Sequence, residues 1–281
     1  PTTGSQLIGS ISYFFEPIIA AQSLAIAGVL PQIATKQYGA LSGFAIPLLL
    51  LPTFITYAIS TSLVPAISEA AAKRHNKTIE HRLNQAIRLA LITGGISVVI
   101  TYVFAYPLMD LLYNAPDFAI YVKVMAPFFF FHYFQGPLAA ALQALGLAKA
   151  AMINSLIGAI VKTAAIFVLA SNPSLGIMGV GLAISSGIVL VTLLHYATLA
   201  KATSFTINKR DFLRGMITMI TSGLAALMLY RWFTTDELNF MAVTTAIMLS
   251  SLIYTGLAFV FGAIKKEDLT QVPMINKFFT K

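Results

Sequence analysis

Glu16 and Lys162 are charges placed inside apolar stretches, residues 7–30 and 150–170 respectively. An ionisable group in such a stretch is costly unless it meets a partner, water or a cavity, so each is a candidate for ion or substrate chemistry. If both stretches start at the same membrane face, a rise of about 1.5 Å per residue puts Glu16 about 16 Å deep and Lys162 about 18 Å deep. The two are then level. Two readings stay open: Glu16 and Lys162 pair, or each faces its own partner or water. Asn154, Gly158 and Lys162 repeat every four residues and share one helix face. His132 follows the run Phe128–Phe131, with Gln135 and Gln143 further along the same stretch. Such a histidine either bonds a neighbouring helix or relays protons. His195 lies towards the end of its stretch, within reach of the interface. Pro47, Pro52 and Pro65, interleaved with Thr53, Thr56, Ser60 and Thr61, predict a kinked helix whose freed carbonyls the hydroxyls can satisfy. A mobile helix lining a cavity and an ordinary kinked span are both compatible with that pattern.

No catalytic constellation accompanies these groups. The four histidines have no carboxylate at metal-ligand spacing and the chain has no cysteine, so no metal is expected. There is no G-x-x-x-x-G-K-[ST] phosphate loop and no G-x-S-x-G elbow. Gly176, Gly179 and Gly181 form a G-x-x-G-x-G run, but it separates two apolar stretches instead of following a strand. A tight turn leading into close helix packing is expected there. The chain reads as no enzyme, with no cofactor.

The elements that must position these residues follow from composition. Of 281 residues, 58% are hydrophobic and 10% charged, and mean hydropathy is +0.82. A soluble domain holds about 25% charged residues, so this is an all-α polytopic membrane protein. A helix needs about 20 apolar residues to cross. Eight stretches serve: 7–30, 41–66, 89–109, 124–148, 150–170, 175–200, 215–233 and 238–264. Fourteen of the 18 basic residues fall in one alternate set of loops, which places that side, and both ends of this chain, in the cytoplasm. The net charge of +8 then points to anionic membrane lipids as partners and not to nucleic acid. In the basic loop 67–88, Ile79, Leu83 and Ile87 recur every four residues, predicting an amphipathic helix on the inner leaflet. The chain begins with Pro1 and not Met, so a preceding N-terminal part is expected.

Two segments carry a resemblance. LPTFITYAISTSLVPAISEA (51–70), followed by the basic loop, and QGPLAAALQALGLAKAAMINSLIGAIVKTAAIFVLASNPSLGIMGVG (135–181) resemble, in order and spacing, polysaccharide-biosynthesis flippases of the stage V sporulation protein B type. These belong to the multidrug/oligosaccharidyl-lipid/polysaccharide exporter superfamily and are related to lipid II flippases. The resemblance implies two six-helix lobes around a central cavity. This chain would supply the C-terminal lobe (1–204) plus two additional helices and a cytoplasmic tail (205–281), and would require the missing N-terminal lobe. It implies a bacterial cytoplasmic membrane flippase that moves a lipid-linked (polyprenyl-pyrophosphate) cell-wall or polysaccharide precursor by alternating access, with sporulation as the setting. A cation-coupled multidrug antiporter of the same fold and a non-transporting scaffold for cell-wall enzymes are the alternatives. Some lipid II flippases hold a sodium ion between an acid of the lobe's first helix and Asn/Asp positions of its fifth. Glu16 and Asn154 match those positions, but Gly158 stands where a second carboxylate is expected. Lys162 is therefore expected beside Glu16 in place of the metal.

Overall fold

The computed structural model describes residues 2–203, 205–233 and 239–265, with side chains from residue 9. Among them are eleven α-helices and no strand. The first span is α1 (Thr2–Ile26). The second is composite: α2 (Pro31–Ala40) runs through a π-helical turn, Leu41–Ala45, into α3 (Ile46–Leu50) and then α4 (Thr53–Ala72). There follow α5 (Asn76–Val103) with the short α6 (Ala105–Tyr113), α7 (Ala119–Ala144), α8 (Ala148–Ala170), α9 (Ile177–Thr203), α10 (Lys209–Phe233) and α11 (Phe240–Val260). Five helices are long and apolar enough to cross a membrane, and six when the bent pair counts as one span. The two that fall short, α1 and α7, carry Glu16, Pro17 and Gln22, and Lys123, His132 and Gln135. The polar residues that lower their hydropathy are the ones with chemical potential.

The second span bends by 52° at Leu51–Pro52. Proline offers no N–H and crowds the preceding turn, so carbonyls there lose their helical donors. Side chains replace them: the Tyr133 hydroxyl donates to the Leu49 carbonyl (2.9 Å) and the Thr53 hydroxyl to that of Leu50 (2.6 Å). Pro47 lies just past the π-helical turn Leu41–Ala45 within a continuous helix, next to the irregularity in the ladder that a missing N–H favours. Pro65 lies inside an unbroken α4.

Helix α7 is the central strut, packing on α4, α5 and α9, while α8 packs on α1 and α9. Two apolar clusters stack along it. One gathers Val122, Met125 and Phe129 with α2, α3 and the start of α9. The other gathers Phe130, Tyr133 and Leu138 with α4, α5 and Leu199. Lipid offers no hydrophobic drive between helices, so close packing relies on small residues. At the start of α9, Gly176 takes a positive φ of 48°, and a Cβ on Gly179 would lie 2.5 Å from the Leu169 backbone. The glycine run is thus the tight turn and close contact its spacing predicts. Helices α10 and α11 pair and dock on α5, and the proposed boundary falls in the short link between α9 and α10. Residues 266–281 of the tail lie outside the described residues.

Loop 67–88 departs from expectation. It is no separate in-plane helix: α4 runs on to Ala72 and α5 starts at Asn76 as one continuous 28-residue element. Ile79, Leu83 and Ile87 are buried in the second apolar cluster. Periodicity revealed an apolar face, and protein covers it where lipid was expected.

The Ser68 hydroxyl donates to the Ala144 carbonyl (3.3 Å), so the ends of α4 and α7 and the start of α5 share one side. Asn172, beyond the far end of α8, lies on the other. A single cysteine at Asn172 should react with an impermeant thiol reagent in intact cells and one at Asn76 should not, with no background from the cysteine-free chain. Labelling at Asn76 would reverse the expected orientation. Asp236, a third useful position, lies outside the described residues.

Candidate functional site

Helices α1 and α8 lie side by side, and their contact brings the two intramembrane charges together. The Lys162 ammonium donates to Glu16 Oε2 at 2.5 Å. Glu16 is 6% exposed. Its other oxygen accepts a long hydrogen bond, 3.4 Å, from the Tyr38 hydroxyl of α2. The ammonium also stands 5.2 Å from the centroid of the Tyr13 ring, close enough for a cation–π attraction. Tyr13 precedes Glu16 by three residues and so shares its face of α1. From behind, α9 presses on the lysine stem: a Cβ on Gly187 would lie 2.9 Å from Lys162 Cβ.

Asn154 is not part of this group. Two helical turns separate it from Lys162, about 12 Å along α8, and it turns to α9 instead. Its amide donates to the Thr198 hydroxyl (2.9 Å) and lies 3.3 Å from His195 Nδ1. His195, expected near the interface, is 3% exposed and buried against Asn154. Depth along a helix says nothing about rotation around it, and rotation turns this ring inward. Between Asn154 and Lys162, Gly158 meets α9 so closely that a Cβ would collide with Val191. A carboxylate has no room there. The sodium site implied by the resemblance therefore does not fit these residues: the acid already holds an ammonium, the asparagine is engaged elsewhere, and the third position is filled by helix packing. Among the described residues, no group of three His, Cys, Asp or Glu side chains could hold a metal ion.

The remaining candidates line cavities beside the pair. Gln135 donates to the Ile188 carbonyl (2.8 Å), tying α7 to α9. His132 presents a buried Nδ1 without a hydrogen-bond partner. Both face a cavity of about 920 Å³ that Pro47, Thr53, Thr56, Tyr57 and His195 also line. A smaller cavity of about 230 Å³ holds Tyr13, Lys162 and Gly187 and shares Gln135, Ser155 and Val191 with the first. Pro52 marks the bend above the larger cavity. Between α1 and α8 runs an apolar groove of about 630 Å³, lined by Phe15, Ile160 and Phe167 among others. Glu16 lines none of the three and sits behind Lys162. The chain thus offers uncharged polar groups, one cation and an apolar groove side by side. Sequence reasoning missed Tyr13, Tyr38 and Gly187, and it placed His195 at the interface. Only Tyr13 left a signal, in its spacing from Glu16.

Comparison with known proteins accords with this architecture. Stage V sporulation protein B of Bacillus subtilis (strain 168) is 51% identical over 281 residues, all of this chain and 54% of that protein. Sporulation protein YkvU of the same organism is 35% identical over 202 residues, 72% of this chain and 45% of its own length. The chain spans about half the length of the curated relatives it matches. A solved structure of the lipid II flippase MurJ in an inward closed conformation superposes with a TM-score of 0.65 at 16% identity, covering 88% of this chain and 52% of that one. At that identity the likeness concerns the fold. Residues 10–168, more than half of the chain, match the MatE family; the chain belongs to that family, within the multidrug/oligosaccharidyl-lipid/polysaccharide exporter superfamily.

Proposed function

We propose that this chain is the C-terminal lobe and appended helix pair of a flippase that carries a lipid-linked, polyprenyl-pyrophosphate precursor of cell wall or polysaccharide across the bacterial cytoplasmic membrane, in sporulation. The observation that carries the reading is the run of adjoining cavities, in which the small one at Lys162, with Gln135, Ser12 and Ser155, lies between a wider cavity dotted with His132, Gln135 and threonine hydroxyls and the almost wholly apolar α1–α8 groove. An amphiphile with a polar head and a long hydrocarbon tail needs such a pair of surfaces, and a water-soluble solute has no use for the second. Family membership and the names of its relatives support the same reading. Transport would proceed by alternating access, the lobe rocking against a second one that this chain does not supply. The energy would come from an ion gradient or the membrane potential. Basic loops on the cytoplasmic side would hold anionic lipid headgroups.

The test uses proteoliposomes containing this chain joined to the portion of the Bacillus subtilis relative that it does not cover. A fluorescent lipid-linked precursor should become accessible to an external reagent faster than in protein-free vesicles. Movement of ethidium-like cations without lipid flipping would make the protein an antiporter. Movement of neither would leave the scaffold role.

A further inference from the structure

We infer that the Glu16 carboxylate, with Tyr13 and Tyr38 beside it, is neutralised by the chain's own cation, the Lys162 ammonium, which stands where a small monovalent cation would otherwise sit. A carboxylate 6% exposed in an apolar bundle needs a positive charge within contact distance. An ammonium carries the same single charge as such a cation and, like it, is attracted by carboxylate oxygens and by the face of an aromatic ring. Here it meets one Glu16 oxygen at 2.5 Å and the face of Tyr13 at 5.2 Å, while the Tyr38 hydroxyl holds the second oxygen. Gly187 allows α9 to press on the lysine stem and steer it toward α1. The lysine side chain is 15% exposed, so the charge has left most of its water. The other residues lining the adjoining cavity, among them Gly9, Ser12, Gln135 and Ser155, carry no charge, and a free cation would find no second acid there. The α1–α8 contact therefore stays neutral whatever the salt outside, and Glu16 is not the seat of a coupling metal. This holds independently of what the protein transports, and its test reads binding alone.

The purified full chain is unfolded by heat in sodium, ammonium or choline chloride at equal concentration. The wild type should melt at the same temperature in all three. Lys162→Ala removes the tethered cation and leaves the acid, so its midpoint should fall by several degrees in choline and recover, saturably, in sodium or ammonium. Glu16→Gln combined with Lys162→Ala should be flat in all three. A wild type stabilised by sodium over choline would overturn the inference, and so would a folded Lys162→Ala protein indifferent to the cation or a double variant that still responds. If Lys162→Ala cannot be purified in choline, its yield of folded protein in sodium and ammonium gives the same comparison, equal yields in all three salts counting against the site.

Discussion

Asp211→Asn should loosen the α10–α11 pair from the rest of the protein. In the native chain Asp211 Oδ2 accepts from Arg88 (3.2 Å) and from Lys265 (2.7 Å), so one carboxylate joins the base of α10 to α5 and to the segment that follows α11. The Arg88 and Asp211 side chains are 3% and 8% exposed. Removing one member of a buried ion pair costs about 3–5 kcal/mol because the other charge stays behind. Lys265 is 35% exposed and partly screened, which favours the lower end, about 3 kcal/mol. The expected result is a lower unfolding midpoint with earlier proteolysis in the link before α10. Asp211→Glu should restore much of it. Replacing Arg88 and Asp211 together by apolar residues should cost less than Asp211→Asn alone. An Asp211→Asn protein as stable and protease-resistant as the native chain would show that apolar packing alone seats the pair.

The Glu16–Lys162 pair should behave as one energetic unit. Glu16→Gln strands an ammonium and Lys162→Met strands a carboxylate, each at a cost of about 3–5 kcal/mol. The variant carrying both changes strands neither charge. It should therefore be more stable than either single variant, with a coupling energy of at least about 1 kcal/mol, within the range for residues in contact. Denaturant unfolding of the four proteins in a constant salt measures this. Strict additivity would mean that the two charges find other partners and that their proximity carries no energy.

Much of this arrangement is legible in the sequence, for reasons that also explain where legibility stops. Helical rise converts position into depth, so Glu16 and Lys162 could be placed level from numbering once basic loops set the direction of each span. Rotation about the axis is fixed by neighbours, and no arithmetic supplies it. Asn154 shares a face with Lys162 yet serves α9, and His195 turns inward although its depth suggested the interface. Ile79, Leu83 and Ile87 declared an apolar stripe, but periodicity has the same form whether lipid or α7 covers it. Three prolines promised a kink in the second span without saying where. It falls at Pro52, where Tyr133 and Thr53 supply the missing donors, and not at Pro65, where α4 continues. Gly158 was visible only as an absent carboxylate, and its reason is the Val191 side chain on the facing helix.

The bend at Leu51–Pro52 has a mechanical consequence. In a regular helix each carbonyl is held by an amide fixed to the frame, so changing the axis angle means breaking bonds in a medium with no water to replace them. At this bend the Leu49 and Leu50 carbonyls are held by hydroxyls, each of which swivels about its C–O bond and follows a moving acceptor. A change of angle at this joint would load two side-chain contacts in place of amide–carbonyl bonds. One of its two bearings, Tyr133, is anchored in α7 with its ring fully buried. Any rocking of the cavity wall that carries Thr53, Thr56 and Tyr57 would therefore pivot on the helix that also carries His132 and Gln135.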